Sequence, residues 1–247
     1  MALTREATVL GNPDGISLGR TPEAIALLKK SLEITEDIAA RDPGESDSRQ
    51  QIATVGRLLA ELVRDDDPAG ALAVYDQVLR HAGEVKNNTI ARLNEASALA
   101  GSSYPLRALH REPEARARLD AAFAKLAELK RYPGVPIKAG TEAEDALSAL
   151  ADDEAARGNM TRAVDIYQKL VEQVLASGPK PETDLADATA VSRLYASLAR
   201  LERRAGRPAD AAALDARRSQ IWQRWEKALP GSPFVARQLA SVDQLLR

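Results

Sequence analysis

Apolar side chains recur along most of this chain at intervals of three and four, the spacing that lays one continuous apolar face along an α-helix. Ala71, Tyr75, Val78 and Leu79 form one such set, and Ala163, Tyr167, Leu170, Val171 and Val174 form another. The runs upstream behave alike: Ile52, Val55, Leu58, Leu59 and Leu62 in one case, Ala146, Leu147, Leu150 and Ala151 in the other. No stretch shows the period-two alternation of β-branched residues that a strand needs. The pattern predicts an all-α fold.

Between paired runs lies a short turn that opens into the next helix through an alanine. Five occur, ending at Ala24, Ala71, Ala115, Ala163 and Ala211, and these alanines are 47, 44, 48 and 48 residues apart. A steady beat of this kind marks internal repeats. The turns carry glycine, which ends a helix in a left-handed conformation, and proline, which suits the first turn of the next, where its missing N–H costs nothing. Turns joining antiparallel helices are therefore expected near 19–23, 66–70, 110–114, 158–162 and 206–210, within one domain spanning residues 1–247 and closed by a terminal helix over 234–247. The marker alanines should be buried, because two helices approach closely only over a small side chain.

Proline-bearing segments around Pro43, Pro133 and Pro136, Pro179 and Pro181, and Pro230 and Pro233 separate the hairpins. Thr141 followed by Glu144 fits a capping box, with hydroxyl and carboxylate each satisfying an orphan N–H. Two units depart from the rest. In the third, Gly101-Ser102-Ser103-Tyr104-Pro105 should break or bend the first helix. In the first, Leu3 to Leu10 makes only about two helical turns, and a hairpin short of its partner helix points to a piece of a longer chain.

Composition agrees with this reading and removes several functions. The 247 residues include 46 alanines and 4 % aromatics, with 45 % hydrophobic and 28 % charged side chains, a folded helix-former's composition. There is no cysteine, hence no disulfide framework, thiolate metal site or cysteine nucleophile. A net charge of −2 and a pI near 5.9 argue against a general nucleic-acid binder. No run approaches the roughly 20 apolar residues of a membrane span, and the first residues lack the apolar core of a signal peptide. The expectation is a soluble chain, cytoplasmic by default, or extracytoplasmic if a membrane-anchored parent carries it.

A small residue at the marker, an aromatic or leucine four positions on and a closing proline resemble the tetratricopeptide repeat. Ala71, Tyr75 and Val78 carry the likeness in the second unit, and Ala163, Tyr167 and Leu170 in the fourth. The beat of 44 to 48 exceeds that family's period of about 34, which longer helices would explain. The fifth unit has Asp215 where the aromatic belongs. The resemblance implies a right-handed superhelix of five stacked hairpins. A narrower likeness runs from Leu10-Gly11-Asn12-Pro13 through Ser17-Leu18-Gly19, Ala24 and Ser31-Leu32-Glu33-Ile34 to Ala39-Ala40-Arg41-Asp42-Pro43. It resembles the C-terminal repeat region of bacterial, notably acidobacterial, serine/threonine protein kinases, and implies a receptor-like tail. No kinase motif is present, neither the glycine-rich loop with its strand lysine nor the His-Arg-Asp and Asp-Phe-Gly triplets, so no enzyme activity is expected of this chain.

Candidate chemistry is sparse. Gly11 to Gly15 makes a poor phosphate loop, since Pro13 lacks a donor and Asp14 repels anions; it reads as a turn. His81 and His110 sit beside helix ends, outside any nucleophile motif, and have no metal-ligand spacing. The acid runs Asp65-Asp66-Asp67 and Asp152-Asp153-Glu154 read as a helix N-terminus and a solvated face. Trp225 joins Leu214, Ile221 and Ala228 in an apolar stripe and is expected in the core, with Trp222 at its border. The strongest functional candidate is a row of arginines, Arg193, Arg200 and Arg204, with Arg203 beside it. Steps of seven and four place the first three on one helical face.

The charge is also unevenly shared. Residues 141–187 hold 11 acidic and 4 basic side chains, net −7, whereas residues 188–227 hold 9 basic and 4 acidic, net +5. The row therefore either faces an acidic partner or pairs with the acids of the preceding repeat. The function expected is a protein-interaction module that holds a peptide or partner protein in its concave groove, with no cofactor and no metal. The alternative is a sensory domain binding a small molecule for an attached kinase.

Overall fold

The structure, a computed structural model, describes residues 2–12, 14–42, 46–85 and 87–246, with side-chain surroundings given through residue 242. Among the described residues there are eleven α-helices and no strand: α1 Ala2–Leu10, α2 Thr21–Arg41, α3 Ser46–Val63, α4 Pro68–Glu84, α5 Thr89–Ala108, α6 Glu112–Glu128, α7 Glu142–Ala156, α8 Met160–Ala176, α9 Leu185–Arg204, α10 Pro208–Ala228 and α11 Pro233–Leu246. They form two compact units. The first comprises residues 1–13 and 19–135 and holds α1 to α6; the second comprises residues 14–18 and 136–247 and holds α7 to α11. The last residue expected in the terminal helix, Arg247, lies outside the described residues.

The chain breaks between helices at each of the five turn segments. Three of the turns share one hydrogen bond: the N–H of Arg111 reaches Leu106 O, that of Asn159 reaches Glu154 O, and that of Arg207 reaches Glu202 O, each at 2.8–2.9 Å. This bond spans five residues and closes a helix whose next residue is left-handed. Gly158 and Gly206 fill that position, as the sequence suggests, but in the third hairpin His110 does so, at φ 56.

All five marker alanines are fully buried. Four residues on, Leu28, Tyr75, Leu119, Tyr167 and Asp215 are buried too, and so are Ser31, Val78, Ala122, Leu170 and Arg218 seven residues on. One inward stripe thus repeats through every hairpin. In the first unit Ala24, Leu28, Ile52 and Val55 share a core that Ala7 joins, and Tyr75 and Val78 meet Ala53, Ala60 and Ala98 in the next. In the second unit Trp222 is covered by Phe234 and Val235 of α11. The terminal helix therefore shields the last hairpin, as the end of a stacked array requires.

The break expected at Gly101–Pro105 does not occur: α5 runs on to Ala108 with Pro105 inside it. Proline in a helix interior forfeits about 3 kcal/mol, and the surroundings offset this. Ser103, Pro105 and Leu106 are buried, while Ser102 and Ser103 donate their hydroxyls to Leu99 O and Ala100 O. Gly101 lets Tyr75 lie against the helix; a Cβ there would sit 2.6 Å from the phenol oxygen.

The capping box at α7 also differs. Thr141 donates its hydroxyl to Lys138 O, and Glu144 accepts from the Gly140 N–H at 2.5 Å, one residue before the expected donor. The reason lies across the unit: Glu144 is fully buried and its other oxygen takes Arg193 Nη2 at 2.6 Å.

Candidate functional site

Three of the four arginines of the row on α9 reach for the preceding hairpin. Arg193 pairs with Glu144 and lies 3.5 Å from Asp14, Arg200 pairs with Asp152 at 3.0 Å, and Arg204 donates to Ala155 O at 3.3 Å. The fourth, Arg203, pairs with Asp215 on α10. Burial alone would lower the Arg193 guanidinium, yet Glu144 and Asp14 beside it hold it above its usual value. Burial pushes the Glu144 carboxyl up, partly offset by Arg193 and the Gly140 N–H. The charge asymmetry between residues 141–187 and 188–227 is thus expressed within the second unit, as pairs from α9 to α7.

The acid run on α7 is not a solvated face. Asp153 and Glu154 are 1 % and 3 % exposed, with Arg157 3.8 Å from the first, and Asn159 at 2.8 Å and Arg162 at 3.4 Å from the second. Buried carboxylates need such partners, and the sequence supplied them at the next turn. The run at 65–67 is exposed and ends as a cap, Asp67 accepting the Gly70 N–H at 2.9 Å.

Trp225 and Trp222 exchange the roles expected of them. Trp222 is fully buried, edge-on to Phe234, with its indole N–H on Ser192 Oγ at 2.8 Å; Trp225 is half-buried and donates to Pro181 O at 2.8 Å. The terminal helix causes the exchange, because Phe234 and Val235 pack over the side of α10 that a four-residue stripe leaves as a border.

The histidines do not converge on a nucleophile. His81 has Nε2 3.0 Å from Glu36 and Nδ1 3.5 Å from Glu84, and Glu84 also accepts from Arg49 at 2.6 Å, so the group ties α2, α3 and α4 together. His110 is 91 % exposed on its turn. Residues 11–15 behave as a connection: the Gly11 N–H closes α1 on Ala7 O, while Pro13 lies outside the described residues. Among the described residues no group of three or more His, Asp or Glu is placed to hold a metal ion, and no helix is long and apolar enough to cross a membrane.

What the sequence reading passed over is a groove on the other side of α9. Val191, Tyr195, Leu198 and Glu202 repeat at steps of four, three and four, about half a turn away from Arg193, Arg200 and Arg204. These residues floor a channel with α8 on one wall and α10 on the other. One cleft of about 440 Å³ lies among Leu175, Pro179, Pro181, Tyr195, Arg217 and Arg224; a second of about 360 Å³ lies among Gln168, Glu172, Glu202, Asp210 and Leu214. Leu175 and Arg217 line both, so the two adjoin.

Leu175 is 37 % exposed, a large apolar side chain facing solvent in mid-channel. Glu202, on the floor, is pushed up by burial and drawn back by Arg207, whose Nε lies 2.6 Å away. The signal for this groove was present as the heptad Asp210, Arg217, Arg224 on α10, hidden among the more numerous arginines of α9.

An all-α chain of successive helical hairpins, without a recognisable catalytic constellation among its described residues, is the class that this fold and groove define. The fold is similar to that of BtubC (BKLC) from P. vanneervenii, with a TM-score of 0.56 and 16 % identity over 92 % of this chain and 91 % of that one. At that identity the likeness establishes the fold alone. No family model matches the sequence, and no curated protein matches it.

Proposed function

We propose that this chain is a protein-interaction module, a tetratricopeptide-like repeat wound as a right-handed superhelix that holds a peptide or partner protein in a groove. The observation that carries the reading is the channel between α8 and α10, which continues from one cleft into the next past an exposed leucine. A small-molecule site is instead a cavity that encloses most of its ligand around a few convergent polar groups. The short likeness over residues 10–43 supports placing the module in the non-catalytic region of a bacterial serine/threonine kinase. A kinase domain encoded ahead of residue 1 would support that placement, and its absence would overturn it.

The groove is tested by selecting peptides from a displayed library on the intact chain and measuring their affinity for Leu175→Glu. Leu175 is exposed, so the thermal midpoint should hold, with a stability change within about 0.5 kcal/mol. Affinity should fall about tenfold or more, equivalent to about 1.4 kcal/mol. Failure to select any peptide, or selected peptides indifferent to Leu175→Glu, would overturn the reading.

A further inference from the structure

Asp210, Arg217 and Arg224 stand seven residues apart on α10, on one face of the helix and along the groove. At about 1.5 Å per residue the outer two are about 21 Å apart, with Arg217 midway. All three are exposed, and so is Glu172 on the facing wall.

Unlike Arg193, Arg200 and Arg203 on α9, the two arginines have no carboxylate partner among the described residues. Arg217 lies over the Tyr195 ring at 5.9 Å, and Arg224 uses its Nε on the Glu182 carbonyl at 3.2 Å. Both guanidiniums therefore keep N–H donors for an incoming anion. Asp210 and Glu172 likewise form no ion pair with a described residue. The channel is cationic at the Arg217–Arg224 end, where Glu182 is the one acidic residue in the lining, and anionic at the Glu172–Asp210 end, where Arg207 is already paired with Glu202.

We infer that the groove takes an extended segment of a partner protein with a set direction: two carboxylates three residues apart lie on Arg217 and Arg224, and a lysine or arginine beyond them lies on Asp210 and Glu172. The inference rests on the interaction reading above and names the chemistry of the partner. Spacing selects the extended form. A polyproline II chain repeats every three residues at about 3.1 Å each, so side chains three apart project to one side about 9.3 Å apart. The arginines are spaced by about 10.5 Å, a difference that two long side chains absorb. Apolar residues between the carboxylates would rest on Leu175 and Ile221, and guanidiniums stack on or clamp carboxylates in a planar geometry that lysine lacks.

The test uses the full chain and labelled synthetic peptides followed by fluorescence anisotropy. The first peptide has two glutamates three positions apart, proline and leucine between them and two lysines beyond; the second has the same residues with the charged blocks exchanged end for end; the third has lysines in place of the glutamates. The first should bind, and bind more weakly as salt is added. Arg217→Glu with Arg224→Glu should weaken it at least tenfold, without a shift in thermal midpoint, and should transfer affinity to the third peptide. Three results would each overturn the inference: equal binding of the first and second peptides, which denies a direction; indifference to the double charge reversal; and a bound peptide that turns helical by circular dichroism. Library-selected peptides that depend on Leu175 while all three synthetic ones fail would also overturn it and leave the interaction reading standing. If neither kind binds, both fall.

Discussion

Asp215 and Arg218 occupy the two inward positions that Tyr75 and Val78, or Tyr167 and Leu170, fill elsewhere. They sit one helical turn apart with the guanidinium Nη1 of Arg218 2.9 Å from Asp215, itself fully buried and also paired with Arg203. Arg218 reaches Ser192, which also receives the Trp222 indole. A buried ion pair seldom stabilises more than a well-packed apolar pair, whereas removing one member leaves an uncompensated charge. Asp215→Ala should therefore cost about 3–5 kcal/mol. Asp215→Tyr combined with Arg218→Leu restores the apolar stripe of the fourth hairpin, and by the same argument should be neutral or more stable by about 1–4 kcal/mol, less whatever Arg203 loses. Urea denaturation of the single and double variants separates the two outcomes, and a double variant as unstable as Asp215→Ala would show that the pair is required by its neighbours.

At the scale of the element, α9 is a helix with two opposed working faces. Its arginine side binds α7, and its Val191–Tyr195–Leu198 side floors the groove. Surface ion pairs contribute about 0–1 kcal/mol each, so Arg200→Glu with Arg204→Glu, facing Asp152 and the Ala155 carbonyl, should lower the thermal midpoint and leave binding in the groove unchanged. An unchanged midpoint with lost binding would return the partner site to this row. The helices, their turns and the burial of the marker alanines were legible in the sequence because each rests on chemistry within a few residues: period, glycine, proline, small side chain. The candidate site was not. Whether an arginine is paired depends on helices 40 to 50 positions away, as Arg193 with Glu144 illustrates. A helical face looks solvated until the neighbour that covers it is known, and so local pattern places Asp153 and Glu154 in solvent and Trp222 at a border, although all three are buried. Local pattern also favoured a break at Pro105, where the burial of Ser103 and Leu106 decides otherwise.

At the scale of the whole molecule, hairpins packed side by side within a unit exchange stability mainly with their neighbours. Ala163, fully buried where α8 begins, is a position at which that coupling can be measured. Ala163→Leu overpacks the contact and should cost about 1–3 kcal/mol. In native-state hydrogen exchange the loss should concentrate in α7, α8 and α9, with α2 to α4 of the first unit keeping their protection. Uniform loss over all eleven helices would mean that the chain unfolds as one cooperative body.

The last three hairpins share a turn but not an interior, and this limits their use as interchangeable parts. Gly158 and Gly206 close their helices with the same bond, so a graft of α8 in place of α10 would enter its turn without strain. Inside, the graft would bring Tyr167 where Arg203 finds Asp215, and Val171 where Ser219 stands, three residues before Trp222. Arg203 would be left without its carboxylate, and Trp222 would be gone from beneath Phe234. Each hairpin is thus fitted to its place in the order, and shuffling units to build new binding surfaces from this chain would require redesigning the inward stripe at every new junction.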